Sequence, residues 1–283
     1  DRVGTAQDSI DLLGSSASHQ ALEQAIAKEL GFSNLLDSTG QIYPRSLDYD
    51  VLTTLVQLAS APSNLATAIR LMAGAELVTE GFKAGQVGSS AMPHKMNTRS
   101  CERVNGLAVV LRGYASMISE LSGNQWNEGD VSCSVVRRVA IADAFYAFDG
   151  LMETILTVLD EFGTFPALIS AELERQLPFL ATTKILMAAV KAGVGREVAH
   201  EAIKEHAVKA TIATREGKAN TFFDELAADD RIPLDRSALD QLIGKPLDFA
   251  GDAGQQISRV VARVNLITNK FKIASQYSAA AIR

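Results

Sequence analysis

Cysteine is scarce in this chain of 283 residues. Only Cys101 and Cys133 occur, with no metal-type spacing, so the expectation is two free thiols in a reduced, cytoplasmic protein. Apolar runs stay shorter than the about 18 residues that a membrane-spanning helix needs, which argues against one. A basic excess is also missing. The net charge of −6 argues against a general nucleic-acid binder. It leaves room for an anionic small molecule, because a local cluster sets the field in a cleft. Such clusters stand at His94, Lys95, Arg99 and Arg103, and again at Arg137-Arg138. Two-residue alternation bounded by hairpin turns is absent, as are repeats and low-complexity tracts. The chain opens at Asp1 without methionine or a signal-peptide pattern. Asp1-Arg2-Val3-Gly4-Thr5-Ala6-Gln7 reads as the middle of a longer sequence, so a preceding N-terminal portion is expected.

What is present is helical periodicity. From Val51 to Leu77, apolar residues recur at Leu52, Leu55, Leu58, Leu65, Ile69 and Met72, near the 3.6-residue period. Pro62 is expected to kink or interrupt that helix. A second stripe, from about Arg99 to Leu121, holds Val104, Leu107, Leu111, Ile118 and Leu121. A third, from Ser134 to Phe162, holds Val135, Val139, Phe145, Phe148, Met152, Ile155 and Leu159. Long helices with broad apolar faces pack side by side as a bundle, and against copies of themselves in an oligomer. A boundary is expected near Thr164-Phe165-Pro166, dividing a bundle domain over residues 1–165 from a smaller all-helical domain over 166–283. In the latter, Gly193 and Gly195 separate a helix ending near Lys191 from one over about Arg196 to Arg215. Gly217 suits the left-handed position after a helix, and Asn220 and Asp235 suit N-caps. A final helix follows Gly251 to Gly254 and runs through Val264 and Phe271.

The chemistry concentrates in Gly88-Ser89-Ser90-Ala91-Met92-Pro93-His94-Lys95-Met96-Asn97, with Gly81 and Gly85 upstream. It fails the phosphate-loop pattern, since His94 precedes Lys95, and it fails the serine-hydrolase elbow. A Gly-Ser linker would not need the Met-Pro-His-Lys-Met-Asn that follows. The loop leads into a helix start near Asn97 and Thr98, where backbone N–H groups favour anions. A substrate carrying a carboxylate beside an acidic C–H would become doubly charged on losing that proton. Lys95, Asn97 and the loop amides would stabilise this state more than the ground state. Ser89 and Ser90 are the candidate bases, activated by desolvation and neighbouring cations. His200 and His206, six apart, do not share a face as metal ligands four apart would, and are expected to be structural.

These residues resemble the signature loop of the fumarase/aspartase superfamily, and the Ala-Met-Pro-His-Lys form is most similar to its adenylosuccinate lyase family. Gln41-Ile-Tyr-Pro-Arg45, Gln125-Trp126 through Ser134 with Arg137-Arg138, and Phe249 through Gln256 resemble further segments of that family. The resemblance implies an all-α fold, with a long central helical bundle and a smaller helical C-terminal domain. It implies β-elimination of fumarate from adenylosuccinate, and from the SAICAR intermediate of purine biosynthesis, without a cofactor or metal. It assigns Ser89 as base, Lys95 and Asn97 as charge stabilisers and Glu102 as an acidic partner. Substrate contacts carry over to Gln41, Ser90, Met92, Arg103, Ser134 and Arg138. It implies a homotetramer whose active sites are shared between subunits, and a general acid, a histidine, upstream of Asp1. Departures exist. Gly129 stands where the family has an arginine, a cation that Arg137 could supply instead, and Met96 and Thr98 also differ. Gly129 keeps another superfamily lyase or a cycloisomerase acting on a different dicarboxylate as the alternative.

Overall fold

The structure, a computed structural model, describes residues 6–39, 42–81, 92, 94–124 and 131–280. It divides into two compact units, Asp1–Thr164 with Ala279–Arg283, and Phe165–Ser278. The first unit opens with α1 (Ala6–Leu13) and α2 (Ser16–Glu29), then builds its core from three long helices. These are α3 (Ser46–Gly74), α4 (Arg99–Ser119) and α5 (Val131–Glu161). At 29 and 31 residues, α3 and α5 each run roughly 45 Å. The fold is all-α. Among the described residues, the strands are β1 (Val78–Thr79) and β2 (Gly163–Thr164), a two-residue antiparallel pair.

The core of this unit lies between the three helices and differs in detail from the apolar stripes of the sequence. Leu52, Leu55 and Ile69 are buried as expected, but Leu58 and Leu65 are exposed, and Ala59 and Ala66 fill the inner face. On α5 the buried positions are Ala140, Ala144, Ala147, Leu151, Ile155 and Val158, whereas Val135, Val139, Phe145 and Leu159 point outward. Small residues bring helix axes close. The large apolar residues then fall on a second face, left open in the single chain. Pro62 does not interrupt α3, which runs unbroken from Ser46 to Gly74. Proline within a helix costs about 3 kcal/mol. Here packing on both sides offsets that cost, with Ala59 and Ala66 buried against the bundle. Asn105 of α4 stitches the turns after it, donating to the Ser63 carbonyl (2.8 Å) and accepting from Arg70 (2.9 Å).

The second unit comprises α6 (Pro166–Leu180), α7 (Thr182–Lys191), α8 (Arg196–Arg215), α9 (Phe222–Ala227) and α10 (Arg236–Ile243). A 3₁₀ turn (Pro246–Ala250), α11 (Ala253–Lys270) and α12 (Lys272–Ser275) follow. Its punctuation follows the sequence closely. Gly193 and Gly217 have positive φ, and the Lys218 N–H closes back on the Ala213 carbonyl (3.0 Å) after α8. Asp235 caps α10 through the Ala238 N–H (2.8 Å). Asn220 accepts the Phe222 N–H (3.0 Å), although Thr221 occupies the cap position of α9. Ile185, Ile203, Phe222, Leu226 and Leu239 form its core. His206 bridges α8 to the residues after it, 2.8 Å from Asp229 and 3.4 Å from Glu225. The structural role expected for this histidine is what the geometry presents.

Candidate active site

The described residues among those expected at a site fall into two clusters, at the two ends of the bundle. At one end stand Lys95 and Asn97, just ahead of α4, with Glu102 and Arg103 on its opening turns. Gln41, Ser89, Ser90 and Gly129 lie outside the described residues. Met92 and His94 are exposed, and the Met92 carbonyl accepts the Lys95 N–H (3.0 Å) in a turn that leaves the Lys95 side chain in solvent. Asn97 is half-buried. Glu102 and Arg103 follow on the first turn of α4, both exposed.

The start of α4 corrects one expectation. Two of its amides, those of Ser100 and Cys101, do not stand open for a substrate anion. Glu80, 7% exposed, accepts the Ser100 N–H (2.9 Å) with one carboxylate oxygen and the Cys101 N–H (2.8 Å) with the other. A carboxylate suits this position because orphan donors and the positive end of the helix dipole meet there. Thr98, the residue at the cap position, makes no side-chain cap. Sequence reasoning missed Glu80, since a cap is ordinarily sought one to three residues before a helix and not about twenty. Cys101 and Cys133 are both buried and form no disulfide, as expected. Burial, with Glu80 beside it, pushes the Cys101 thiol up to about 12.

The other end gathers around Asp48, at the start of α3. Arg137 of α5 donates from Nε to Asp48 (2.6 Å) and from its guanidinium to the Tyr43 hydroxyl, which in turn donates to Asp48 (2.8 Å). Arg45 lies 3.9 Å from the same carboxylate and 4.6 Å from the Tyr43 ring centroid. Burial and the Asp48 carboxylate raise the Tyr43 pKa, and the hydrogen bond to Asp48 raises that of Arg137. This network seats the residues after Gln41 on α5. Arg137, suggested by the sequence as a stand-in for the cation missing at Gly129, is held here by Asp48 and Tyr43. Its neighbour Arg138 is exposed, and Ser134 is half-buried one turn earlier. Tyr43 and Asp48 were not singled out from sequence. Their signal, a tyrosine and an aspartate five apart, has no meaning until Arg137 arrives from 89 residues away.

Among the described residues, the two clusters do not meet within one chain. β1 pairs Val78 with Thr164 and Thr79 with Gly163, which ties the segment before the loop to the residues after α5. Gly81 (φ +116°) packs against Glu161, so closely that a Cβ on it would lie 2.6 Å from the Glu161 Cβ. Lys95, Asn97, Glu102 and Arg103 therefore belong to the end of the bundle where α5 finishes. Ser134, Arg138 and the Tyr43–Asp48 network belong to the end where α5 begins. The rise from Ser134 to Glu161 along α5 is about 40 Å. Among the described residues, no group of three His, Cys, Asp or Glu side chains is arranged to hold a metal ion, and no helix is long and apolar enough to cross a membrane.

Comparison with known proteins accords with this architecture. A family model described as "Adenylosuccinate lyase C-terminus" matches residues 178–260, and one described as "Lyase" matches residues 13–113. The adenylosuccinate lyase of Saccharomyces cerevisiae is 34% identical over 245 residues, which cover 86% of this chain and 51% of the yeast protein. That of Archaeoglobus fulgidus is 32% identical over 248 residues, covering 86% and 54%. The chain thus spans about half the length of the curated relatives it matches. Among solved structures, the 3-carboxy-cis,cis-muconate lactonizing enzyme of Pseudomonas putida superposes with a TM-score of 0.70 at 18% identity, covering 89% of this chain and 55% of that one. A fumarate lyase from Mesorhizobium sp. BNC1 gives 0.68 at 19%, covering 87% and 54%. At those identities the likeness is one of fold.

Proposed function

We propose that this chain, which belongs to the adenylosuccinate lyase family of the fumarase/aspartase superfamily, acts in a lyase that eliminates fumarate from adenylosuccinate, leaving AMP, and from SAICAR, leaving AICAR. The observation that carries the reading is the ten-residue string Gly88–Asn97, which holds two serines, a lysine and an asparagine close together in the sequence. Ser89 takes the proton from the carbon next to the carboxylate. The electron pair left behind spreads into that carboxylate, where Lys95 and Asn97 hold the second negative charge. The C–N bond then breaks, and the leaving nitrogen takes a proton from a general acid, which in the family is a histidine. Glu102 is the acidic partner on the first turn of α4. Gln41, Ser90, Met92, Arg103, Ser134 and Arg138 contact the substrate. The reaction is proton transfer and elimination, and the reading calls for no cofactor.

The reading extends to a homotetramer in the cytoplasm. Two half-sites about 40 Å apart in one chain support an active site completed by other copies. The apolar residues Val135, Phe145 and Tyr146, open on α5, support the same assembly. The two compact units serve as a bundle domain and a smaller C-terminal domain.

The test is turnover of adenylosuccinate by the full-length protein, followed by the ultraviolet change on fumarate release. Ser89→Ala should lose about 10²–10⁴-fold in kcat, the span of a general base. A loss below threefold would remove Ser89 from that role. Turnover of a small diacid with none of the nucleotide would hand the site to a different lyase.

A further inference from the structure

We propose that Glu80 is a positioning residue for this elimination, one that holds the first turn of α4 and so sets where Lys95, Asn97, Glu102 and Arg103 stand. The inference rests on the function proposed above.

A carboxylate buried to 7% exposure is costly unless its oxygens are fully used. Here each oxygen accepts one backbone N–H, from Ser100 and from Cys101. A cap from within the chain's local sequence would stabilise the helix equally well, and Thr98 stands at the position for it without providing one. What Glu80 does that Thr98 cannot is join two distant points. Its own backbone is anchored on one side by β1, paired to β2, and on the other by Gly81 pressed against Glu161. Its side chain grips the helix that begins 18 residues after Gly81. Both ends of the segment that carries the proposed chemistry are thereby held by one residue.

The electrostatic consequence is selective. The carboxylate takes up the two donors and the positive end of the α4 dipole. A substrate anion then finds its attraction at Lys95, Asn97 and Arg103 instead of at the helix end. Displacement of a catalytic group by about 1 Å costs on the order of 10²-fold in rate, so a grip on this turn governs turnover while leaving the rest of the bundle intact.

The test compares Glu80→Ala and Glu80→Gln with the parent full-length protein, at a temperature where circular dichroism shows all three fully folded. Glu80→Gln keeps one acceptor oxygen for the amide pair. The expected result is a kcat per folded site at least tenfold lower in Glu80→Ala, with a raised KM, and a smaller loss in Glu80→Gln. Full turnover per folded site in Glu80→Ala, with only a lowered melting temperature, would reduce Glu80 to a helix cap and overturn the proposal. Hydrogen exchange of the peptide covering residues 95–103 separates this from failure of the functional reading. Even if the parent protein turns over no adenylosuccinate, Glu80→Ala should speed exchange there at least tenfold, and unchanged exchange would overturn the grip itself.

Discussion

Replacing Asp48 with alanine removes the acceptor that three groups share. Its carboxylate takes the Arg137 Nε at 2.6 Å and the Tyr43 hydroxyl at 2.8 Å, and faces Arg45 at 3.9 Å. The Asp48 side chain is 10% exposed, that of Arg45 9% and that of Arg137 28%. A charge-assisted hydrogen bond contributes about 1.5–3 kcal/mol, and a neutral one about 1 kcal/mol. Stranding a buried charge costs about 3–5 kcal/mol. Water reaches the partly exposed Arg137 and relieves part of this, so the expected loss is about 3 kcal/mol. For a unit of this size, each kcal/mol moves the melting temperature by roughly 2–4 °C, so Asp48→Ala should lower the transition of the bundle unit by about 6–12 °C in calorimetry. The double change Asp48→Leu with Arg137→Met should recover part of the loss, because it removes both charges and fills the space. A shift below 2 °C for Asp48→Ala, or losses that simply add in the double variant, would refute the account of the network.

Gly81→Ala should destabilise the bundle unit by several kcal/mol, since φ of +116° strains an L-residue by about 1–3 kcal/mol and the new Cβ meets Glu161 at 2.6 Å; an unshifted melting temperature would show that the close approach is absent. In the second unit, the guanidinium of Arg231 holds the Asp229 carboxyl well below the usual carboxylate range. A pKa depressed on folding adds stability above the unfolded value of about 3.9, and that stability is lost as pH falls toward the folded value. Asp229→Asn should therefore melt lower than the parent at pH 7, with the gap narrowing as pH falls below about 4; a gap that persists unchanged at pH 2–3 would contradict this.

The fold class, the helical bundle and the helix boundaries around Gly195, Gly217 and Asp235 were legible in the sequence, because periodicity, left-handed glycines and caps are local signals acting over a few residues. So was the family, because a ten-residue string of mixed chemistry is read without coordinates. Which apolar residues lie inside was legible only in part. α5 carries apolar side chains on more than one face, and close helix approach selected Ala140, Ala144 and Ala147 for the interior over the larger Val139 and Phe145. Pro62 shows the same limit, since the local rule against proline in a helix was overruled by packing on either side of it.

Tertiary structure alone decided what occupies the start of α4 and where Arg137 goes. Glu80 and Cys101 are 21 residues apart, and Asp48 and Arg137 are 89 apart. Nothing in one segment specifies a partner at that range until the helices pack. It also placed Lys95 and Ser134 at opposite ends of one bundle, a separation set by the length of α5, which no motif encodes.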